Sequence, residues 1–259
     1  MDVQSHNKTA WDANVDRKNP WTIPVTREEI ERARLGKFEL RLTPLKPVPM
    51  NWFPPLQGTK TLCLASAGGQ QGPILAAAGA LVTVFDNSPG QLRQDQLVAE
   101  RDSLEIKLEE GDMADLSRFS DDEFDLIVHP CSNCFVPRIR PVWNECFRLL
   151  RSGGILISGF LNPIRFLFDY QKLMNGNLEV RHRIPYSDLT DLNETELHRL
   201  ILDQQQPLAF GHTLTDQIAG QLDAGFILNG FFEDRYPETK DDPISKYVDS
   251  FIATRVVKP

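Results

Sequence analysis

The chain has 259 residues, 41% of them apolar and 25% charged, the ordinary balance of a globular protein with a real core. Its formal net charge of −8 argues against nucleic acid as the main partner, because phosphate binding needs a concentration of Lys and Arg. No run approaches the roughly eighteen apolar residues of a membrane span, and the polar start MDVQSHNKTAWDANVDRKNP lacks the apolar stretch of a signal peptide.

A soluble, cytoplasmic protein with no membrane partner is therefore expected. The four cysteines, Cys63, Cys131, Cys134 and Cys146, form no disulfide framework, which suits a reducing compartment.

Residues 1 to 57 read as an extension packed on the core. They hold Trp11 and Trp21, a charged helical stretch at Arg27–Leu35, and the Pro-rich run LTPLKPVPMNWFPPL, which excludes a regular helix or a central strand. From residue 58 to 160 strands and helices alternate. TLCLAS is a buried strand that meets the glycine cluster AGGQQG, and Pro73 and Gly79 suit the first turn and the end of the next helix.

LVTVFD is the second strand, and Ser88 with Pro89 opens a helix to about Arg101. LEIKLEEGD alternates and so lies nearer an edge. FDLIVHP is a fourth strand, VWNECFRLL a helix, and GILISGF a fifth strand after a Gly153-Gly154 turn.

Residues 161–212 read as a helical and irregular insertion, expected to form a wall or lid over a substrate. In residues 213–259 a helix over Thr213–Ala224 stops at Gly225, and the segments FILNGFFED and FIATRVV follow. No helix-sized segment separates those two strands, so they should pair antiparallel. The alternation implies an α/β fold, a doubly wound sheet of parallel strands joined by right-handed crossovers.

In such sheets ligands bind beyond the carboxyl ends of the strands. Four loops meet there. The first, Ala65 through Gly72, carries small residues that let a ligand approach the backbone at a helix N-terminus. Asp86 ends the second strand about 20 residues on, where a carboxylate accepts from two ribose hydroxyls, with Asn87 beside it. Asp112 can accept from an adenine amino group while Met113 offers the ring a polarizable surface. His129 opens the fourth loop and, with an unperturbed pKa of about 6.5, is the candidate general base.

These four loops in this order, closed by LLRSGGILISG, resemble the class I S-adenosylmethionine-dependent methyltransferase family over roughly residues 60–160. The resemblance implies a seven-stranded sheet whose last strand runs antiparallel, with S-adenosyl-L-methionine lying across the ends of the first, second and fourth strands. It places Ala65, Ala67, Gly68, Gly69 and Gln70 at the methionine part, Asp86 and Asn87 at the ribose, Asp112 and Met113 at adenine, and His129 beneath the sulfonium.

The family pattern has an acidic residue on the first strand followed by Gly-x-Gly-x-Gly. Here Cys63 stands at the acidic position, and Ala65 and Ala67 replace the first two glycines. Gln70, Gln71 or a residue of the N-terminal segment is left to replace the missing carboxylate.

Two other functions compete. Ala67-x-Gly69-x-x-Gly72 is one substitution from the dinucleotide fingerprint, which suggests an NAD-dependent oxidoreductase. The altered loop also suggests a non-catalytic S-adenosylmethionine-binding module. Cys131 and Cys134 lack the second ligand pair of a structural zinc site, so no metal is expected.

A small-molecule substrate is the default. The segment Arg181 to Tyr186 could bind an anion, His182 and His212 could reach the cleft, and Trp11, Trp21, Trp52 and Phe53 could close it or anchor the N-terminus.

Overall fold

The structure, a computed structural model, describes residues 1–66, 68–237 and 242–259. Its seven principal strands are β1 (Lys60–Leu64), β2 (Leu81–Asp86), β3 (Ile106–Glu110), β4 (Phe124–His129), β5 (Leu150–Leu161), β6 (Ile227–Asp234) and β7 (Phe251–Val257). They form one sheet in the order 3-2-1-4-5-7-6. Strands β1 to β5 pair in parallel, and β7 runs antiparallel to both β5 and β6, as the resemblance implies.

The crossover helices are α3 (Gln71–Ala77), α4 (Pro89–Asp102) and α5 (Arg140–Leu149). Ser88 caps α4 by accepting from the Gln91 N–H, with Pro89 as the first helical residue. Gly79 and Gly225, at φ +100° and +110°, turn the chain out of the helices that precede them.

One expected turn moves. The register jumps between the pairs Phe124–Leu150 and Leu126–Ile155, so Gly153 and Gly154 lie in an irregularity inside β5 rather than ahead of it.

Alternation along the strands builds two cores. Leu62 and Leu64 of β1 face one side with Ile127 and the fully buried Trp143 of α5, while Cys63, Leu126 and Val128 face the other with Ile74 and Leu75 of α3. Trp143 alone makes the first layer costly to disturb, since truncating a buried Trp removes about 3–5 kcal/mol.

The N-terminal 57 residues are more ordered than their composition suggests. They contain α1 (Val3–Asp16) and α2 (Arg27–Arg34), the latter closed by a capping box between Thr26 and Glu29. α1 has no apolar stripe and is held by polar bonds instead. Asn7 Nδ2 donates to the carbonyls of Phe135 (3.0 Å) and Leu208 (3.1 Å), and Asn7 Oδ1 accepts from the Leu208 N–H (2.7 Å). Lys8 pairs with Glu110 on β3, and Arg17 donates to the Gln204 carbonyl at 2.9 Å.

The insertion thus braces α1 from behind. It consists of short helical turns and a two-residue antiparallel pair, Tyr186–Ser187 with Phe210–Gly211. Among the described residues no helix is long and apolar enough to cross a membrane.

Candidate functional site

A cavity of about 780 Å³ lies over the carboxyl ends of the central strands, within the range of small-molecule sites. Its floor is the strand ends and its roof is the N-terminal segment between Met1 and Pro44. Of the insertion, only Leu161 reaches the wall. The expected lid over residues 161–212 is corrected accordingly: the insertion supports the roof and does not form it.

The loop after β1 starts at Ala65, which lines the cavity with φ +48°, a left-handed conformation costing a non-glycine residue roughly 1–2 kcal/mol. Two bonds hold it there. Its N–H donates to the Phe85 carbonyl (2.8 Å), and its carbonyl accepts from Ser132 Oγ (2.9 Å). Ala67 lies outside the described residues.

Gly68 and Gly69, expected to approach the cofactor, are absent from the cavity wall. They let other chain segments cross the loop. The Gly68 N–H donates to Gln91 Oε1 (2.8 Å), and a Cβ there would collide with the Gln91 carbonyl. Gly69, at φ +77°, abuts Pro24, and its carbonyl accepts from the Val25 N–H (2.9 Å).

Gln70 and Gln71 do line the cavity. Gln70 Nε2 donates to the Ile23 carbonyl (3.0 Å) and Gln71 Nε2 to the Arg41 carbonyl (3.0 Å). Gln71 Oε1 is buried at the start of α3 without a protein partner. A buried acceptor left open is costly unless a ligand answers it. The N-terminal segment adds Glu29 and Glu39 to the same wall.

Asp86, at the end of β2, faces the cavity. Its Oδ1 accepts from the Ser88 N–H (2.8 Å). Burial pushes its carboxyl up to about 7, the charge of Asp12 adding to the rise and the backbone N–H groups of Ser88 and Asn87 opposing it. Asn87 lines the wall and ties it to the roof, Nδ2 donating to the Gln4 carbonyl (2.9 Å). Asp112 and Met113 lie on the wall beyond β3, with Asp112 Oδ1 accepting from the Ala114 N–H at 2.9 Å.

His129 is elsewhere. Alternation along β4 sends it to the α5 side, where it is fully buried against Trp143 and has no place on the cavity wall. Nδ1 bonds the Leu64 carbonyl (2.8 Å), and burial holds the imidazole pKa below its ordinary value. A charged, proton-shuttling role is unfavourable there, which corrects the expectation of a base at this position; the residue instead fixes the end of β1.

The remaining candidates divide. Trp11 and Trp21 line the cavity, whereas Trp52 packs on Phe232 and Phe53 on Phe38. Arg181 is not free to bind an anion in the cleft: it is engaged by Asp169 (2.8 Å) and Glu196 (2.7 Å). His182 stacks edgewise on Tyr186, and His212 bonds the Asn133 carbonyl. Neither reaches the wall.

Cys131 and Cys134 do reach it. Burial pushes both thiols up, Cys134 to about 12. Among the described residues no group of three or more His, Cys, Asp or Glu is placed to hold a metal ion.

The residues fit S-adenosylmethionine. A carboxylate for a ribose diol lies at the end of β2, an acidic turn and a thioether for adenine beyond β3, and an amide oxygen without a protein partner, for an ammonium group, after β1. The sheet and this arrangement define a class I, Rossmann-like methyltransferase.

The comparisons with known proteins agree. The family model "Methyltransferase domain" matches residues 62–158. The uncharacterized methyltransferase YbaJ of Bacillus subtilis is 52% identical over 254 residues, covering 98% of each chain. Among solved structures, an S-adenosylmethionine-dependent methyltransferase from Mesorhizobium loti superposes with a TM-score of 0.60 at 15% identity, over 80% of this chain and 94% of that one. A putative one from Listeria monocytogenes gives 0.59 at 18% identity, over 81% and 95%.

The chain belongs to the S-adenosylmethionine-dependent methyltransferases. The oxidoreductase alternative is thereby set aside.

Proposed function

We propose that this enzyme methylates a small molecule inside the roofed cavity, with S-adenosylmethionine held by Asp86, Asn87, Asp112, Met113, Ala65, Gln70 and Gln71. The observation that carries this reading is the continuity of the cavity. One space joins Asp86 and Met113 on one side to Cys131, Leu161 and Phe251 on the other, so donor and acceptor can lie end to end beneath one roof.

When bound, the cofactor supplies a sulfonium methyl group ready for in-line displacement. The protein's part is positional. Asp86 accepts from the ribose hydroxyls through the oxygen that Ser88 leaves open, and Asp112 and Met113 hold the adenine. Gln71 Oε1, buried here without a partner, would accept from the ammonium once the side chain turns it to the cavity, a role for which the family pattern uses an acidic residue and this chain has Cys63. The Ser132–Ala65 bond fixes the turn between the methionine end and the acceptor.

Holding two reactants at attack distance can contribute about 7–11 kcal/mol. The roof confines the acceptor to molecules that fit beneath it, which favours small substrates over a protein surface.

The test is calorimetric titration with S-adenosylmethionine and with NADH, followed by incubation with methyl-labelled cofactor and a whole-cell extract that is then separated into small molecules and macromolecules. Micromolar binding of the first only, with label recovered in small molecules, is the expected result. Absence of S-adenosylmethionine binding in folded protein, or label recovered only in macromolecules, overturns the proposal.

A further inference from the structure

The half of the cavity that must take the acceptor has a composition of its own. Strand order 3-2-1 accommodates the cofactor, which leaves the ends of β4, β5, β7 and β6 for the second reactant. The wall there is Cys131 after β4, Leu161 ending β5, Phe251 opening β7 and Tyr236 just past β6, roofed by Leu42 and Pro44. On the rim, Trp21 and Ile23 line the cavity yet remain 41% and 53% exposed, an apolar entrance rather than a charged one.

The described residues that wall this half carry no charge, and the cations near it have anionic partners. Arg41 at the mouth pairs with Glu39 at 2.8 Å. Arg165 lies behind the aromatic wall, 5.3 Å from the Tyr236 ring centre and 5.7 Å from that of Phe251, and pairs with Asp242 at 3.2 Å. Asp234 is fully buried behind the wall and not part of it; its Oδ2 accepts from Thr43 Oγ1 (2.7 Å) and from the N–H groups of Leu45 and Lys46 (2.9 Å each), and its Oδ1 is buried without a partner.

An ionic acceptor would lose its hydration here against a wall of Cys131, Leu161, Phe251, Tyr236, Leu42 and Pro44, none of which carries a charge to answer its own, a costly transfer. An apolar one would gain the burial.

From this wall we infer that the acceptor is a small molecule that is uncharged and apolar, aromatic or branched aliphatic, around its methyl-accepting atom. The inference rests on the methyltransferase reading above and concerns the other half of the same cavity.

The experiment uses full-length protein saturated with S-adenosylhomocysteine. That compound lacks the sulfonium charge, so any preference read is the protein's own. Three probes of one shape, p-cresol, 4-methylbenzoate and 4-methylbenzylammonium, are titrated by ligand-observed NMR. The expected result is binding of p-cresol with both ions at least tenfold weaker, and a Leu161→Asp variant that weakens p-cresol and favours the ammonium probe.

Equal or tighter binding of either ion to the wild-type protein overturns the inference, as does failure of all three while S-adenosylhomocysteine binds. Failure of S-adenosylhomocysteine itself to bind is a separate outcome, which overturns the methyltransferase reading and this inference with it.

Discussion

Asp12 and Asp86 act on each other across the joint between roof and floor. Asp12 of α1 accepts from Ser88 Oγ and from the Gly90 N–H, both at 2.7 Å, and so docks α1 onto the start of α4. Its charge also adds to the burial that raises the Asp86 carboxyl to about 7. One contact thus links the docking of α1 to the protonation of the residue beneath it.

Cofactor affinity should therefore depend on pH. In the proposed site the ribose hydroxyls donate to the ionised carboxylate, so binding there favours the deprotonated form and expels a proton. With a free-enzyme value of about 7, affinity at pH 6 should be about tenfold below that at pH 8. Calorimetry in buffers of different ionisation enthalpy measures the released proton. An Asp86→Asn variant should lose this component of the pH dependence and bind about 10–100-fold more weakly at pH 8, the loss of hydrogen bonds to a charged acceptor.

Asp12→Asn separates docking from charge. The amide keeps an oxygen for Ser88 and Gly90, so stability should change by less than about 1 kcal/mol. The Asp86 carboxyl should titrate lower, and the midpoint of the affinity profile should move to lower pH. An unmoved midpoint would show that burial alone sets the value.

The loop glycines should behave oppositely to Ala65. Gly68→Ala drives a Cβ into the Gln91 backbone, and Gly69→Ala adds one 2.8 Å from Pro24 Cβ at φ +77°. Each should cost about 1–3 kcal/mol in denaturant unfolding. Ala65→Gly relieves a left-handed alanine while loosening the unfolded chain, two effects of similar size, so stability should stay within about 1 kcal/mol.

His129→Gln tests a fixing role against a proton-transfer role. Loss of ring packing on Trp143 and of the 2.8 Å bond to Leu64 should lower stability by about 2–4 kcal/mol. The pH profile of kcat in the variant should keep the shape of the wild type. Loss of a limb between pH 5 and 7 would restore His129 as the base.

The sheet was legible because its signals are local. Apolar runs such as LVTVFD, the Ser88-Pro89 start and the stop at Gly225 each occupy a few neighbouring residues, and the wall positions of Asp86, Asp112 and Met113 follow from strand ends.

What was missed depends on distant partners. α1 has no apolar period to read, because Asn7 is bound to residues more than a hundred positions away. Arg181 reads as available in its own segment because its partners, Asp169 and Glu196, lie 12 and 15 positions away. The side taken by His129 is legible in the sequence: Ile127 faces the α5 core, and the two-residue period of β4 puts His129 on that side too.

Met1 itself forms part of the cavity wall, with Asp2 and Val3 beside it. A purification tag fused ahead of it would place its final residues against the cavity wall on the Asn87 side and alter what the cavity admits. The opposite end of the chain is remote from the chemistry: the Pro259 carbonyl is held by Ser152 Oγ at 2.9 Å, near the starts rather than the ends of the parallel strands. The handle belongs after Pro259, and a panel of acceptors screened on amino-terminally tagged material should be repeated with the tag moved.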